Sequence, residues 1–317
     1  MTADPFPVQV NVADRGLSPT TQACPRPLSD RDLAILLAID QYRYLDRDHV
    51  NDLFFTGRRS AELRLRDLLW RGLIHRWPAK RWQGSPLMPS VYALSTSGAR
   101  QIASLRGQDP RPVCDRARRA REQAYHLRHD LEANRFFTKL AAGARELPEQ
   151  GLYHWLGETT CRAAYERDGS PPSDGWGRYL LSDREITFDL EWDRGTENAR
   201  RIRTKATGYI TYFRGRRHAH LHHVLFVTPT RAREGELHDL IAPLLPQNAN
   251  VCRYWTTAVE TVSSLGWLGA IWLEITGPPR RFAFTDMPGF PRGARLAANS
   301  IAKARWWERR PGGGEGA

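Results

Sequence analysis

The sequence contains no apolar run long enough to cross a membrane, which takes about 18 consecutive apolar residues. Its first residues also lack the basic and then apolar pattern of a secretory signal. The chain has four cysteines, and they lie too far apart to resemble the paired ligands of a structural zinc site. These absences argue against a membrane protein and a zinc-binding module, and they predict a cytoplasmic protein with reduced cysteines.

Positive charge and apolar residues are abundant instead. The 317 residues include 47 Lys and Arg against 35 Asp and Glu, which gives a formal net charge of +12, and 41% are hydrophobic. This apolar fraction predicts a folded chain, and the length predicts two domains with separate cores. The basic charge favours a polyanionic partner, because neutralising phosphates releases counterions. We therefore expect nucleic acid as the partner and no association with a membrane.

The segment over residues 29–106 has the element order of a winged helix. Three helical patterns, the third over residues 58–70, precede a β-prone run, a loop rich in Pro, Gly and Lys, and a second β-prone run. The stretches RLRDLLWRGLIHRW and VYALSTSGARQI resemble the wing region of winged-helix DNA-binding domains. This resemblance implies that the third helix enters the major groove of double-stranded DNA.

Charged residues lie where such a domain meets DNA. The third helix and the wing supply the residues predicted to contact bases, phosphates or the minor groove: Arg58, Arg59, Glu62, Arg66, Lys80 and Arg81. Two alternatives stay open for these residues, a solvated surface without a partner and a protein-interaction module.

Composition divides the rest of the chain. We predict a flexible arm over residues 1–28, an inter-domain linker over 107–120, an α/β domain over 121–280 in which strands alternate with helices, and a basic tail over 281–317. The first helix of the α/β domain carries His129, Asp130 and Asn134 among leucines and phenylalanines. A water-facing position is the simpler interpretation of these three polar residues.

Alternation in the strand predicted over residues 186–193 places Asp189, Glu191 and Asp193 on one face and apolar residues on the other. Three carboxylates on one covered face are unfavourable unless cations or hydrogen bonds offset their repulsion. Carboxylate oxygens are ligands that suit magnesium or manganese. The pattern therefore indicates a divalent-metal site, to which Asp174 at the start of the preceding strand adds an oxygen.

The same segment resembles the PD-(D/E)xK nuclease fold, in which an Asp that opens one strand and a Glu in the next hold a metal that activates water. Asp174 and Glu191 match these two acids, so the resemblance implies that they bind Mg or Mn in a restriction-endonuclease-like sheet. Asp193 stands where that fold carries its lysine, and Lys205 on the following helix is the substitute. The implied catalytic set is Asp174, Glu191, Asp193 and Lys205, with a helix-start role as the alternative for Asp193.

The winged-helix segment and the later run LEWDRGTE together resemble the replication-relaxation family of plasmid and mobile-element proteins. The resemblance covers most of residues 29–230. It implies a role in plasmid replication, DNA relaxation or mobilisation, with other replication or transfer proteins as further partners. A metal-dependent endonuclease is one hypothesis for the activity, and a regulator whose second domain only binds DNA or a protein is the other.

A histidine cluster over residues 218–223 raises a third hypothesis. It contains a His-hydrophobe-His triplet, which resembles the metal motif of rolling-circle initiators and relaxases. Tyr209 or Tyr212 would be the nucleophile of such a nickase. A histidine cluster at the entrance of a buried strand is the simpler interpretation.

Overall fold

The computed structural model describes residues 27–77, 89–122, 127–147, 149–214, 222–245 and 252–291. These residues form ten α-helices and eleven β-strands in a mixed α/β architecture. Within these ranges no helix is both long enough and apolar enough to cross a membrane. The predicted wing residues Lys80 and Arg81, and nearly all of the predicted N-terminal arm, lie outside the described residues.

An N-terminal unit combines three helices with a small sheet. Its elements are α1 (Asp30–Tyr42), β1 (Leu45–Asp46), α2 (Arg47–Phe54), α3 (Arg58–Trp70), β2 (Ile74–Trp77) and β3 (Val91–Leu94). Helix α1 begins at a capping box, in which Ser29 and Asp32 each accept the other's backbone N–H through their side chains. Strand β3 lies between β1 and β2 and is antiparallel to both. The bounds predicted for the third helix are confirmed.

Three further helices follow: α4 (Thr96–Arg106), α5 (Pro110–Glu122) and α6 (Leu127–Gly143). Most of the segment expected to be an inter-domain linker, residues 107–120, is therefore helical. Val113, Ala117 and Ala120 form the buried side of α5, which packs against α4 and β3. The many arginines of this segment cover the outside of a helix whose apolar side is narrow.

A mixed sheet forms the second part of the chain. Its elements are β4 (Gly151–Gly157), α7 (Glu158–Asp168), β5 (Gly175–Leu180), β6 (Arg184–Trp192), α8 (Ala199–Arg214), β7 (His222–Thr228), α9 (Arg231–Ile241), β8 (Cys252–Ala258), α10 (Val259–Leu265), β9 (Ala270–Glu274), β10 (Arg281–Ala283) and β11 (Phe290–Pro291). The strand order is β10-β9-β8-β7-β6-β5-β4, and β11 pairs with β6. Strands β6, β7 and β8 are parallel, whereas the outer pairs are antiparallel. The domain end predicted at residue 280 is wrong, because β10 and β11 continue the sheet to Pro291.

One apolar core extends through both units, so the expectation of separate cores is also wrong. Tyr42 at the end of α1 stacks on Trp155 of β4 with ring centroids 3.5 Å apart, and Phe137 of α6 stacks on the same tryptophan at 4.8 Å. A second, smaller core lies where α8 and α9 cover the opposite face of the sheet, around Tyr209 and Leu237. The sheet is therefore covered on both faces, and α6 belongs to both units.

Candidate functional site

Strand β6 has one apolar face and one acidic face, as its alternation predicts. Ile186, Phe188 and Leu190 belong to the core that the two units share. Asp189 and Glu191 lie on the opposite face and are also buried. The acids avoid bulk water, so their environment depends on the polar groups that α8 and β7 bring to them.

Glu191 is the centre of a buried polar cluster, and its side chain is only 3% exposed. Its Oε2 accepts a hydrogen bond from Lys205 Nζ at 2.8 Å, and its Oε1 accepts one from the Tyr209 hydroxyl at 2.6 Å. Lys205 Nζ also lies 3.1 Å from Glu197. Burial raises the pKa of Glu191 to about 7, and the nearby ammonium of Lys205 opposes that rise. The structure thus brings Lys205, predicted as the substitute lysine, to Glu191.

Asp174 lies at the end of the β5–β6 ladder, near Glu191. Its backbone N–H donates to the carbonyl of Leu190 at 3.0 Å, and the next residue, Gly175, pairs with Leu190 in the antiparallel register. Regular pairing ends at Gly175, and the Asp174 carboxylate accepts the backbone N–H of Trp192, the residue after Glu191. The two acids that the sequence matches to a metal-binding pair are therefore neighbours on adjacent chain segments.

Both carboxylate oxygens of Asp174 have protein partners. Oδ2 accepts the backbone N–H of Trp192 at 2.7 Å, and Oδ1 lies 2.8 Å from His129 Nε2. Burial alone would raise the pKa of Asp174, but the hydrogen bond and charge of His129 hold it below its ordinary value. Burial lowers the pKa of His129, yet Asp174 outweighs this and raises it to about 9. His129 is therefore charged at neutral pH. Sequence reasoning missed this contact, because no local pattern links α6 to the start of β5.

Asp193, predicted among the catalytic residues, has other partners. Its Oδ2 accepts from Arg233 Nε at 2.6 Å, and its Oδ1 accepts the backbone N–H of Gly195 at 2.9 Å. Arg233 also donates to the carbonyl of Glu197 at 2.7 Å. These contacts fix the loop after β6 to α9. They give Asp193 a structural role in that loop.

The exposed side of α3 carries charged and apolar residues in one stripe. Arg59, Glu62 and Arg66 are exposed at the spacing of three and four residues that places them in line. The stripe ends at Trp70, which is 83% exposed and which sequence reasoning did not single out. Arg58 is exposed too, but its guanidinium lies 2.6 Å from Asp48.

Comparison with known protein families covers both α3 and the polar cluster around Glu191. A family model described as Replication-relaxation matches residues 36–227, which is more than half of the 317 residues. The chain belongs to the replication-relaxation family. Membership indicates a role in plasmid or mobile-element replication. The matched residues include α3, Asp174, Glu191 and Lys205. Searches of curated proteins and of solved structures found no match.

The described histidines of this replication-relaxation protein do not converge on one site. His222 Nε2 lies 2.7 Å from Asp189 Oδ2 on the acidic face of the sheet. His223, on the other face, contacts the carbonyl of Pro288 at 2.7 Å and accepts from Trp255 Nε1 at 2.8 Å. Tyr209 is fully buried, so it offers no accessible nucleophile. Residues 218–221 lie outside the described residues.

A divalent cation fits Asp174 and Glu191 in donor chemistry, since both supply hard carboxylate oxygens. Their oxygens are already engaged by His129, Lys205, Tyr209 and a backbone N–H. In the described part of the chain, no three His, Cys, Asp or Glu side chains are arranged to hold a metal ion. A cation at this pair would therefore compete with these four partners for the carboxylate oxygens.

Proposed function

We propose that this replication-relaxation protein binds double-stranded DNA through α3 and hydrolyses a phosphodiester bond at Asp174, Glu191 and Lys205. One observation carries the proposal: the Asp174 carboxylate accepts the backbone N–H of Trp192, next to Glu191, and Lys205 Nζ is 2.8 Å from Glu191. Two acids can hold a divalent metal ion that activates water on a phosphodiester, and a lysine can stabilise the charge that develops on the phosphate.

The N-terminal unit supports the DNA-binding part of the proposal. Its order α1-β1-α2-α3-β2-β3, with β3 between the other two strands, is consistent with the order expected of a winged helix. In such a domain the helix before the wing lies in the major groove. The exposed arginines of α3, Arg59 and Arg66, would then face bases or phosphates, and the net charge of +12 favours the same partner.

The α/β part supports the hydrolytic step. Mg or Mn, when bound, would be held by Asp174 and Glu191 and would supply a Lewis acid that polarises the phosphodiester and activates water. Burial lowers the pKa of Lys205, but the Glu191 carboxylate outweighs this and raises it above its ordinary value. The charged ammonium is suited to stabilise the negative charge that develops on the phosphate. Tyr209 orients Glu191 through its hydrogen bond.

A second candidate function is DNA binding without cleavage. The observation that favours it is that both oxygens of Asp174 and both oxygens of Glu191 already have protein partners within 2.8 Å. These partners supply positive charge and hydrogen-bond donors to both carboxylates, so the cluster does not need a metal cation to compensate its negative charge. Under this alternative, the acidic face stabilises the fold and the protein acts as a replication regulator.

A plasmid assay separates the two functions. Supercoiled DNA would be incubated with wild type, Glu191→Gln and the control Glu166→Gln, an exposed acid on α7, with Mg or Mn and with chelator. We expect the wild type and the control to nick or linearise the plasmid with metal, and Glu191→Gln to lose about 100-fold or more of that rate. Duplex binding without cleavage by the wild type would support the regulator instead, and absence of duplex binding would contradict both.

A further inference from the structure

A cleft next to Asp174 is lined by residues of both units. It lies between the end of α1 and the first turns of α6 and α7. Asp130, Glu158 and Asp174 give its lining three carboxyl groups, and the basic residues of the lining are Arg43 and His129. His129 already contacts Asp174 at 2.8 Å. Arg43 is therefore the basic residue that the N-terminal unit contributes to this cleft.

The backbone at Arg43 is strained. Its φ of 64° and ψ of −51° make it the one non-glycine residue with positive φ in the described part of the chain. The Tyr44 backbone N–H donates to the Tyr42 carbonyl at 2.7 Å, which closes a rare three-residue turn around Arg43. The buried Asn134 amide, on α6, donates to the carbonyls of Tyr42 and Tyr44 at 3.1 and 2.9 Å. Strain held in this way by surrounding structure is typical of functional positions.

The Arg43 guanidinium lies over the Tyr44 ring, 5.2 Å from the ring centroid, and its Nη1 lies 3.5 Å from Asp130 Oδ2. The Arg43 side chain remains 23% exposed at the edge of the cleft. Within the described ranges the guanidinium donates no hydrogen bond, so the part of its planar fork of donors that does not face Asp130 is available to a ligand. Such a fork matches the geometry of a phosphate group.

We propose that Arg43 binds a phosphate of the DNA strand that reaches Asp174, so that the site is built from both units. The inference rests on the proposed function of Asp174 and Glu191. The three carboxyl groups of the cleft repel a phosphate, so the strand can approach only where a basic residue faces it. Arg43 meets this requirement from the N-terminal side of the cleft.

The test compares Arg43→Gly, Arg43→Lys and the control Arg167→Ala, an arginine on α7 whose side chain is 76% exposed. Glycine adopts a positive φ without a Cβ clash, so Arg43→Gly should keep the turn. It also removes the cation beside the buried Asp130, and the melting temperature measures that cost. We would measure affinity for a short duplex by fluorescence anisotropy over a range of salt concentrations, with melting temperature as the folding check. We expect Arg43→Gly to bind about tenfold more weakly, with a log–log salt slope smaller by about one. Arg43→Lys should be intermediate, and Arg167→Ala should match the wild type.

Wild-type affinity and salt slope in a folded Arg43→Gly protein would overturn the inference. If Arg43→Gly does not fold, Arg43→Lys becomes the test. Wild-type affinity and salt slope in Arg43→Lys would then overturn the inference. A wild type that binds duplex without cleaving it contradicts the hydrolytic function, but the loss in Arg43→Gly would still support the phosphate contact. A wild type that binds no duplex overturns both proposals.

Discussion

The exposed face of α3 and the buried face of β6 both carry charged residues at regular spacing, yet the two faces differ in how those charges are compensated. Arg59 and Arg66 on α3 face solvent. Glu191 and Asp189 on β6 are buried, and each lies within 2.8 Å of a lysine or histidine. Removing an exposed charge leaves only water to rearrange, whereas removing one member of a buried pair leaves the other uncompensated. The first face is therefore available to a partner, and the second contributes to stability.

The largest effect on stability should come from Lys205→Met. The substitution leaves Glu191 buried beside Tyr209 without its cation, which should lower the free energy of unfolding by about 3 kcal/mol. Urea denaturation at pH 7.5 measures this change. Adding Glu191→Gln to Lys205→Met should recover part of the loss, because the unpaired charge is then gone. A loss below about 0.5 kcal/mol in the single variant would show that the cluster is not a stabilising unit.

Asp193→Ala should have the next largest effect. It removes the contacts to Arg233 and Gly195, and we expect a loss of about 2 kcal/mol in unfolding free energy. The control Asp183→Ala lies in the exposed β5–β6 turn and should change stability by less than about 0.5 kcal/mol. Any increase in melting temperature caused by Mg or Mn should survive in Asp193→Ala. Its loss there, as in Glu191→Gln, would return Asp193 to the candidate site.

The buried His223 should make the stability of the protein depend on pH. Burial lowers the pKa of His223 to about 3, below the ordinary 6.5, so the unfolded chain binds this proton more readily than the folded one. The stability contribution of His223 is thus complete above pH 6.5 and is lost as the pH falls toward 3, by about 1 kcal/mol at pH 5.5. Glu191, with its raised pKa, acts in the opposite direction. The measurement is therefore the difference in unfolding free energy between wild type and His223→Gln at pH 7.5 and 5.5. A difference that does not change with pH would contradict the prediction.

The smallest effect on stability should come from α3. Replacing both Arg59 and Arg66 by Ala should change the unfolding free energy by less than about 0.5 kcal/mol. The same double variant should bind duplex DNA more weakly, with a salt slope smaller by about two. Arg200→Ala with Arg203→Ala, two exposed arginines on α8, is the matched control for charge. Equal affinities of the two double variants would remove α3 from the DNA-binding surface.

Periodic features of the fold were predictable from the sequence. The third helix has the predicted bounds, and the two faces of β6 follow the predicted alternation, because burial of apolar side chains imposes the period of each element. Helix α5 was missed because arginines dominate its composition. The ends of the α/β part were missed because short strands such as β10 and β11 owe their formation to the sheet they join rather than to their own sequence.

The candidate site was predictable only in part. Asp174, Glu191 and Lys205 were predicted together. Helix α8 brings Lys205 to Glu191, and Asp174 bonds to the backbone N–H of Trp192, next to Glu191. Asp193 follows the same alternation, but the chain leaves the sheet after Trp192. The Asp193 carboxylate then accepts a hydrogen bond from Arg233 on α9. His129 was interpreted as water-facing. Its contact with Asp174 depends on how α6 packs against the sheet, and that packing has no signature in the local sequence.

The stacking of Tyr42 and Phe137 on Trp155 also bears on how this protein can evolve. An N-terminal unit with its own core can be exchanged between proteins as a cassette, because its boundary exposes little apolar surface. Here such an exchange would separate Tyr42 from Trp155 and would leave an aromatic ring on each side without its partner. We therefore expect substitutions on the two sides of this contact to occur together, and α3 and the acidic face of β6 to be inherited as one unit.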